Sequence, residues 1–488
     1  MSEHDIIITE QCSSLGDKIY YARKGRNGIV HVKHGSVISL SFQWIKNFFR
    51  EVLLPYGYPD SVSDDYLHYQ LWDTAQAFCS TITNAFTTRA VLKGVGVGDP
   101  NATALSAAIT WIMKEGTGMI GRILFAWWKG NGLDSDCKKW RLFADTLNDA
   151  AMVIELTVPF FSNFSMPILC TTSTMKSIVG VAGGATRASI THHQAIKDNM
   201  AEVSAKDGSQ ETLVNLVASL ASIYLLNTFD GTVSSASCPK CKRPSSGFPN
   251  YSTEWILIFC FMFLHLVANY CAMKSLKFRT FNNQRMAIVL KTYYNVGTVL
   301  SPQKVNEKES IFLGFGSKVS DFCGFNILMG ESTKQILLNY SFADFQETLS
   351  VYKDKTYFIL ADIYKRQIYI CFESGETTET VLEAYFHSVC LGIATCIYNE
   401  MDLDIYSKRH LRHPTPITRL YTFMKSYEKS ITIQNIPHNY LLDFNDFVKQ
   451  EYYMFYTALD VNGWNLDTHS LSLGEWRTDW KTHSRKNV

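Results

Sequence analysis

Two sets of side chains in this chain have the types and spacings that binding chemistry needs. Asp65, Tyr69, Trp72, Asp73 and Gln76 recur at intervals of three and four, so a helix carries them on one face, with Leu67, Leu71, Ala75 and Phe78 on another. Such a face is either solvated or a buried polar stripe. Tyr and Trp rarely crowd onto a face that meets only water, which is the argument for the buried stripe. The second set is Lys176 and Arg187, around Gly180-Val181-Ala182-Gly183-Gly184, followed by Lys206 and Asp207 in Ala205-Lys206-Asp207-Gly208-Ser209-Gln210-Glu211-Thr212. Charges beside apolar segments must find counter-charges once buried. Lys176 and Arg187 are therefore expected to pair with Glu155, Asp149 or Asp207, or to hold a small anionic ligand at a helix N-terminus. Asp65, Tyr69, Asp73, Gln76, Lys176, Arg187, Lys206 and Asp207 make up the candidate ligand-binding set, and a purely structural ion-pair network is the competing reading.

No recognisable catalytic set assembles around these residues, so no catalytic residue, cofactor or metal is assigned. Gly116-Thr117-Gly118-Met119-Ile120-Gly121 is a literal GxGxxG, but an Ala-rich helical run precedes it where a dinucleotide site needs a strand. Small residues at that spacing fit close helix–helix approach instead. Lys93-Gly94-Val95-Gly96-Val97-Gly98-Asp99 lacks the Gly-Lys-Ser/Thr ending of a phosphate loop and reads as a connection before a helix at Ala102. His192 and His193 are adjacent, hence on different helix faces. Cys238 and Cys241 give two thiolates where structural zinc wants four ligands. A Schiff-base role for Lys206 lacks a phosphate cup or a pyridine partner nearby.

The elements that must position these residues follow from local pattern. Pro55, Gly57 and Pro59 make a turn, Ser61 and Asp64 form a capping pair, and a helix starts near Val62. Residues 1–41 read as a polar lead with hairpin character, with Gly25, Asn27 and Gly28 as turn material. Residues 42–275 read as a helical core. Its most apolar run, from Trp255 through Leu264 to Tyr270, is about the length of a span when extended to 273, and Tyr251, Trp255, Tyr270 and Lys274 match interfacial anchors. A transmembrane helix over 255–273 is the expectation, and a buried core helix is the alternative. Asp207 with Gln210 would cap a helix opening at Gly208. Residues 276–488 read as a smaller α+β region: strands at 355–360 and 367–372 form a hairpin, and helices follow at 378–397 and near 443–456. The fold class is thus mostly α, a membrane-associated helical core followed by an α+β C-terminal region.

Composition narrows the partners. Lys and Arg number 46 against 45 Asp and Glu, with no basic stripe, which argues against nucleic acid. Aromatic content of 13% suits lipid contact or a large core. The 12 scattered cysteines and the polar start Met1-Ser2-Glu3-His4-Asp5 suggest an intracellular chain, here on an intracellular membrane.

Several blocks, taken in order, resemble the root UVB-sensitive family. They are Pro55 to Asp73, Gly94 to Gly98, Gly116 to Phe125, Lys176 to Arg187, Ala205 to Thr212, Asn269 to Arg285 with Thr280-Phe281-Asn282, and Ser301 to Glu309. Lys114-Glu115 stands where the family usually has Arg-Asp, and the loop from Cys238 to Ser246 looks like an insertion. The resemblance implies membrane association, homo- or hetero-oligomeric partnership and a link to vitamin B6 homeostasis, without an established enzymatic activity. The leading reading of the chain is a membrane transporter or scaffold for a small metabolite. An oligomeric interaction module and an enzyme or binder of a phosphorylated vitamer are the alternatives.

Overall fold

The computed structural model describes residues 6–11, 18–24, 28–33, 48–95, 104–234, 251–338, 340–403, 414–427 and 434–480. Cys238 and Cys241 fall outside the described residues, as do Gly25 and Asn27. The chain divides into two units, Met1–Leu133 with Trp140–Leu276, and Asp134–Lys139 with Lys277–Val488. It is mostly helical, as the apolar periodicity predicts. The lead is a three-stranded antiparallel meander, β1 (Ile6–Gln11), β2 (Lys18–Lys24) and β3 (Gly28–Lys33), with Tyr20 opposite Val32.

Six long helices follow: α1 (Tyr66–Gly94), α2 (Ala104–Lys129), α3 (Cys137–Leu156), α4 (Ser165–Gln194), α5 (Met200–Ser234) and α6 (Tyr251–Ser275). The entry turn uses Gly57 at φ +75, where a side chain would be strained. The start of α1 differs from the expectation. Val62 is held in a β-bridge to Ala195, so the helix cannot open there and begins at Tyr66. Asp65, at the N-cap, makes no side-chain cap because its carboxylate is turned to His193 Nε2 at 2.9 Å. A second correction concerns Asp207. It lies inside α5, which opens at Met200, so it caps nothing.

In the first unit α1 packs along α5 and α6, and α2 packs along α4. One apolar cluster joins Ile82 and Phe86 of α1 to Met152 and Leu156 of α3, Ala218 of α5, and Ile258 and Met262 of α6. The GxGxxG lies wholly inside α2. A Cβ on Gly118 would sit 2.7 Å from Ser173 Oγ, and one on Gly121 would sit 2.8 Å from Thr174 Cγ2, so those two glycines let α2 and α4 touch.

The second unit holds helices α7 (Asn283–Val296), α8 (Pro302–Lys308), α9 (Phe342–Val351), α10 (Thr378–Tyr398), α11 (Pro416–Lys425) and α12 (His438–Val461). Its sheet has the order β4 (Asn326–Met329), β6 (Gln367–Phe372), β5 (Tyr357–Asp362). The predicted hairpin is β5–β6, with Ile359 opposite Ile370. Among the described residues two helices are long and apolar enough to cross a membrane, and their burial separates them. The window in α10 is 83% buried and forms the core of this unit, whereas that in α6 is only 39% buried. Residues 464–480 wrap the unit: Trp464 stacks on Phe281 at 4.1 Å and donates from Nε1 to Leu300 O, and the Gly474 N–H donates to Met329 O.

Two buried titratable groups tie the stability of this unit to pH. Glu309 lies 3.1 Å from Lys138 Nζ and 2.8 Å from Arg285 Nη1, and Asn282 Nδ2 donates to it. Burial alone would raise the Glu309 carboxyl. Arg285 and then Lys138 outweigh that and hold it at about 2. His387, fully buried on α10, faces Tyr357 Oη at 3.1 Å, and burial, followed by the nearby Lys355 charge, pushes its imidazole well below the ordinary value. The unfolded chain therefore binds a proton that the folded one refuses. The contribution of His387 is complete above about pH 6.5 and falls by about 1.4 kcal/mol per pH unit below it, whereas Glu309 starts to lose its contribution only below about pH 4.5. We expect the urea midpoint of this unit to drop between neutral pH and mild acid, and His387→Phe to flatten that drop. An unchanged acid slope in the variant would assign the drop to other groups.

Candidate functional site

The polar stripe on α1 faces inward. Asp65, Tyr69 and Gln76 are 3%, 3% and 8% exposed, while Leu67 and Leu71 point outward at 44% and 62%. This reverses the usual amphipathic logic and requires polar partners inside the unit. Trp72 does not share the buried face and is half-exposed.

The partners come from α3 and α6. Arg141, Asp145 and Asp149 repeat every four residues along α3, a spacing that keeps them on one face. Arg141 Nη2 donates to Asp73 Oδ1 at 3.1 Å, and its Nε lies 3.8 Å from Asp145 Oδ2. Tyr69 Oη donates to Asp73 at 3.2 Å. Gln76 Nε2 donates to Asp145 Oδ2 and meets His265 Nε2, each at 3.0 Å, and Asn269 Nδ2 also donates to Asp145. Because the Gln76 amide nitrogen faces it, His265 Nε2 acts as the acceptor. The ring proton then sits on Nδ1 and is donated to Asp149 Oδ2 at 2.9 Å. His265 and Asn269, both 1% exposed, lie one turn apart on the most apolar helix of the unit.

A cavity of about 390 Å³ opens between these helices. Tyr69, Asp73, Gln76, Arg141, Asp145 and Arg187 line it, and Asn84, Asn148, Glu211 and Asn215 complete its polar wall. Gly183 and Gly184 of α4 also border it, so backbone forms part of the wall. At its more exposed side Arg187 bridges Asp207 at 2.6 Å and Glu211 at 2.7 Å.

Of the eight residues singled out from sequence, Tyr69, Asp73, Gln76 and Arg187 line the cavity, with Asp207 bonded to Arg187 just behind. The other three lie elsewhere. Asp65 bonds His193, Lys176 pairs with Glu155, and Lys206 donates to the backbone carbonyl of Glu51. Two of the expected ion pairs, Lys176–Glu155 and Arg187–Asp207, are therefore present. Sequence reasoning passed over Arg141, Asp145, His265 and Asn269. The available signals were the four-residue charge repeat on α3 and two polar side chains, one turn apart, inside an otherwise apolar helix.

Comparison with known proteins covers most of the chain. Residues 40–297 match the family described as "Vitamin B6 photo-protection and homoeostasis domain", and residues 298–480 match "Root UVB sensitive protein, C-terminal". The chain is similar to RUS family member 1 of Dictyostelium discoideum, 44% identical over 54% of this chain and 48% of that protein. It is also similar to Protein root UVB sensitive 3 of Arabidopsis thaliana, 36% identical over 56% of this chain and 60% of that one. The chain thus spans about half the length of the first of these curated relatives and three-fifths of the second. No solved structure matches.

Proposed function

Because the chain belongs to the root UVB-sensitive family, we propose that its first unit is a membrane-embedded binder and carrier of a small polar metabolite of the vitamin B6 class. The observation that carries this reading is a polar cavity among helices whose outer faces are apolar. Ile112, Ile120 and Trp127 of α2, Leu220 and Ile223 of α5, and Ile256 and Phe263 of α6 are all more than half exposed. Apolar area on that scale calls for a lipid or protein covering. The 39% burial of the α6 window supports lipid, because a helix that apolar in a water-soluble protein is ordinarily buried. Wide apolar outside and polar inside is the arrangement that membrane solute sites require.

The enzymatic alternative draws no support from Lys206, whose ammonium is engaged with Glu51 outside the cavity. In the carrier reading the cavity residues bind and orient a solute, and Arg141 with Arg187 anchor the two sides of the wall.

The test is uptake of radiolabelled pyridoxine, pyridoxamine, pyridoxal and pyridoxal phosphate into liposomes carrying the purified chain. We expect saturable accumulation of at least one vitamer, reduced more than about tenfold by Arg141→Met, which removes a buried charge partner. The chain should also stay with the membrane pellet after carbonate treatment. Release into the carbonate supernatant, or uptake no greater than in protein-free liposomes, would sink the reading.

A further inference from the structure

The charges around the cavity are unequal, and the inequality names a class of ligand. At the inner side Arg141 is the one cation among the described lining residues there, set between Asp73 and Asp145. Asp149 stands behind them and accepts from His265 Nδ1. At the outer side Arg187 is shared by Asp207 and Glu211. Each arginine is thus already divided between two carboxylates. The excess of negative charge sits where water is scarce: Asp145 is 9% and Asp149 6% exposed. Unbalanced charge at such a depth is costly and attracts the opposite sign.

Unsatisfied atoms point the same way. Asp149 Oδ1 and Asn269 Oδ1 are buried acceptors that receive no hydrogen bond in this structure, on residues that are more than nine-tenths buried. Neither residue lines the cavity: they stand behind its wall, Asn269 bonded to Asp145 and Asp149 bonded to His265, and they add to the electron-rich backing of that side. Arg141 Nε is a buried donor with no hydrogen-bond acceptor, its nearest carboxylate being 3.8 Å away. A cationic group beside Asp73 and Asp145 would offset the negative excess and a neutral oxygen would answer the lone Nε, whereas an anion would answer only the Nε while adding to that excess.

We propose that the inner side of the cavity binds the positively charged nitrogen of its solute, beside Asp145 and Asp73, with a hydroxyl or carbonyl oxygen on Arg141 Nε. The small anionic ligand suggested by the sequence is thereby replaced by a cationic one. This rests on the cavity being the solute site, as proposed above. Among vitamers it favours the aminomethyl form over the phosphorylated forms.

The experiment uses the purified full chain in detergent near neutral pH, with propylammonium and propionate as probes of equal size and opposite charge. A ligand that binds only the folded state raises the melting temperature. We expect propylammonium to raise it in a saturable way and propionate to leave it unmoved. Asp145→Asn should weaken the propylammonium midpoint by about tenfold or more, and Asp73→Asn provides the same readout should the first variant not fold. Stabilisation by propionate, equal stabilisation by both ions, no stabilisation by either, or a response that both variants leave intact would overturn the proposal. Vesicle uptake separates the two readings: cation selectivity in detergent without uptake would refute the carrier role alone, and uptake of the phosphorylated vitamer in preference to the amine would refute the charge assignment alone.

Discussion

Glu309→Gln is expected to cost the second unit about 3–5 kcal/mol, the largest effect of any single substitution considered for this chain. Lys138 and Arg285 are 2% and 3% exposed, and Glu309 is the carboxylate that both contact. The variant leaves two buried cations facing a neutral carboxamide. The Phe278 ring, 5.6 Å from Lys138 Nζ and 5.1 Å from the Arg285 guanidinium, offsets only a small part of that loss. Adding Lys138→Met to Glu309→Gln should recover a substantial share, since one of the two stranded charges is gone. Urea unfolding of the single and double variants provides the check. A single variant within about 1 kcal/mol of the parent would mean that the pair is solvated in solution and contributes as a surface bridge does.

Gly121→Leu should separate α2 from α4 at a cost of about 1–3 kcal/mol, with more if the backbones cannot part. Its Cβ would meet Thr174 Cγ2 at 2.8 Å and Thr174 Cα at 3.4 Å, and the rest of the side chain would have to enter the same contact. Gly116 provides the internal comparison, because nothing lies within 4 Å of a Cβ built there. Gly116→Leu should be neutral or slightly stabilising, as expected when glycine is replaced inside a helix. The monodisperse fraction of detergent-solubilised protein after heating reads both. Equal sensitivity at the two positions would count against close packing as the role of this glycine motif.

How much was legible in the sequence depended on how far apart the interacting residues lie. The buried stripe of Tyr69, Asp73 and Gln76 declares itself by its own spacing, and Arg187 finds Asp207 only 20 residues away. Gln76 and His265 are separated by 189 residues, and no local pattern says that α1 will lie beside α6. For the same reason Asp145 reads as one more charge on an amphipathic helix until two distant amides are seen to donate to it. The misplaced start of α1 has a tertiary cause as well: the bridge from Val62 to Ala195 overrides a locally plausible cap. Strands β5 and β6 were legible because a short turn joins them and their β-rich runs are unmistakable, whereas β4, four residues long and parallel to β6, carries no comparable signal.

The wrapping of the second unit by residues 464–480 bears on the order in which the molecule is completed. Domains tend to fold as they emerge from the ribosome, the earlier ones first. The helices α1 to α6 have all been synthesised before the second unit begins in earnest. Phe281, by contrast, emerges early and must await Trp464 to cover its ring, as Met329 must await the Gly474 amide. Throughout that interval the nascent second unit presents aromatic surface with its own cover still unmade, the period in which chaperone attention would matter most.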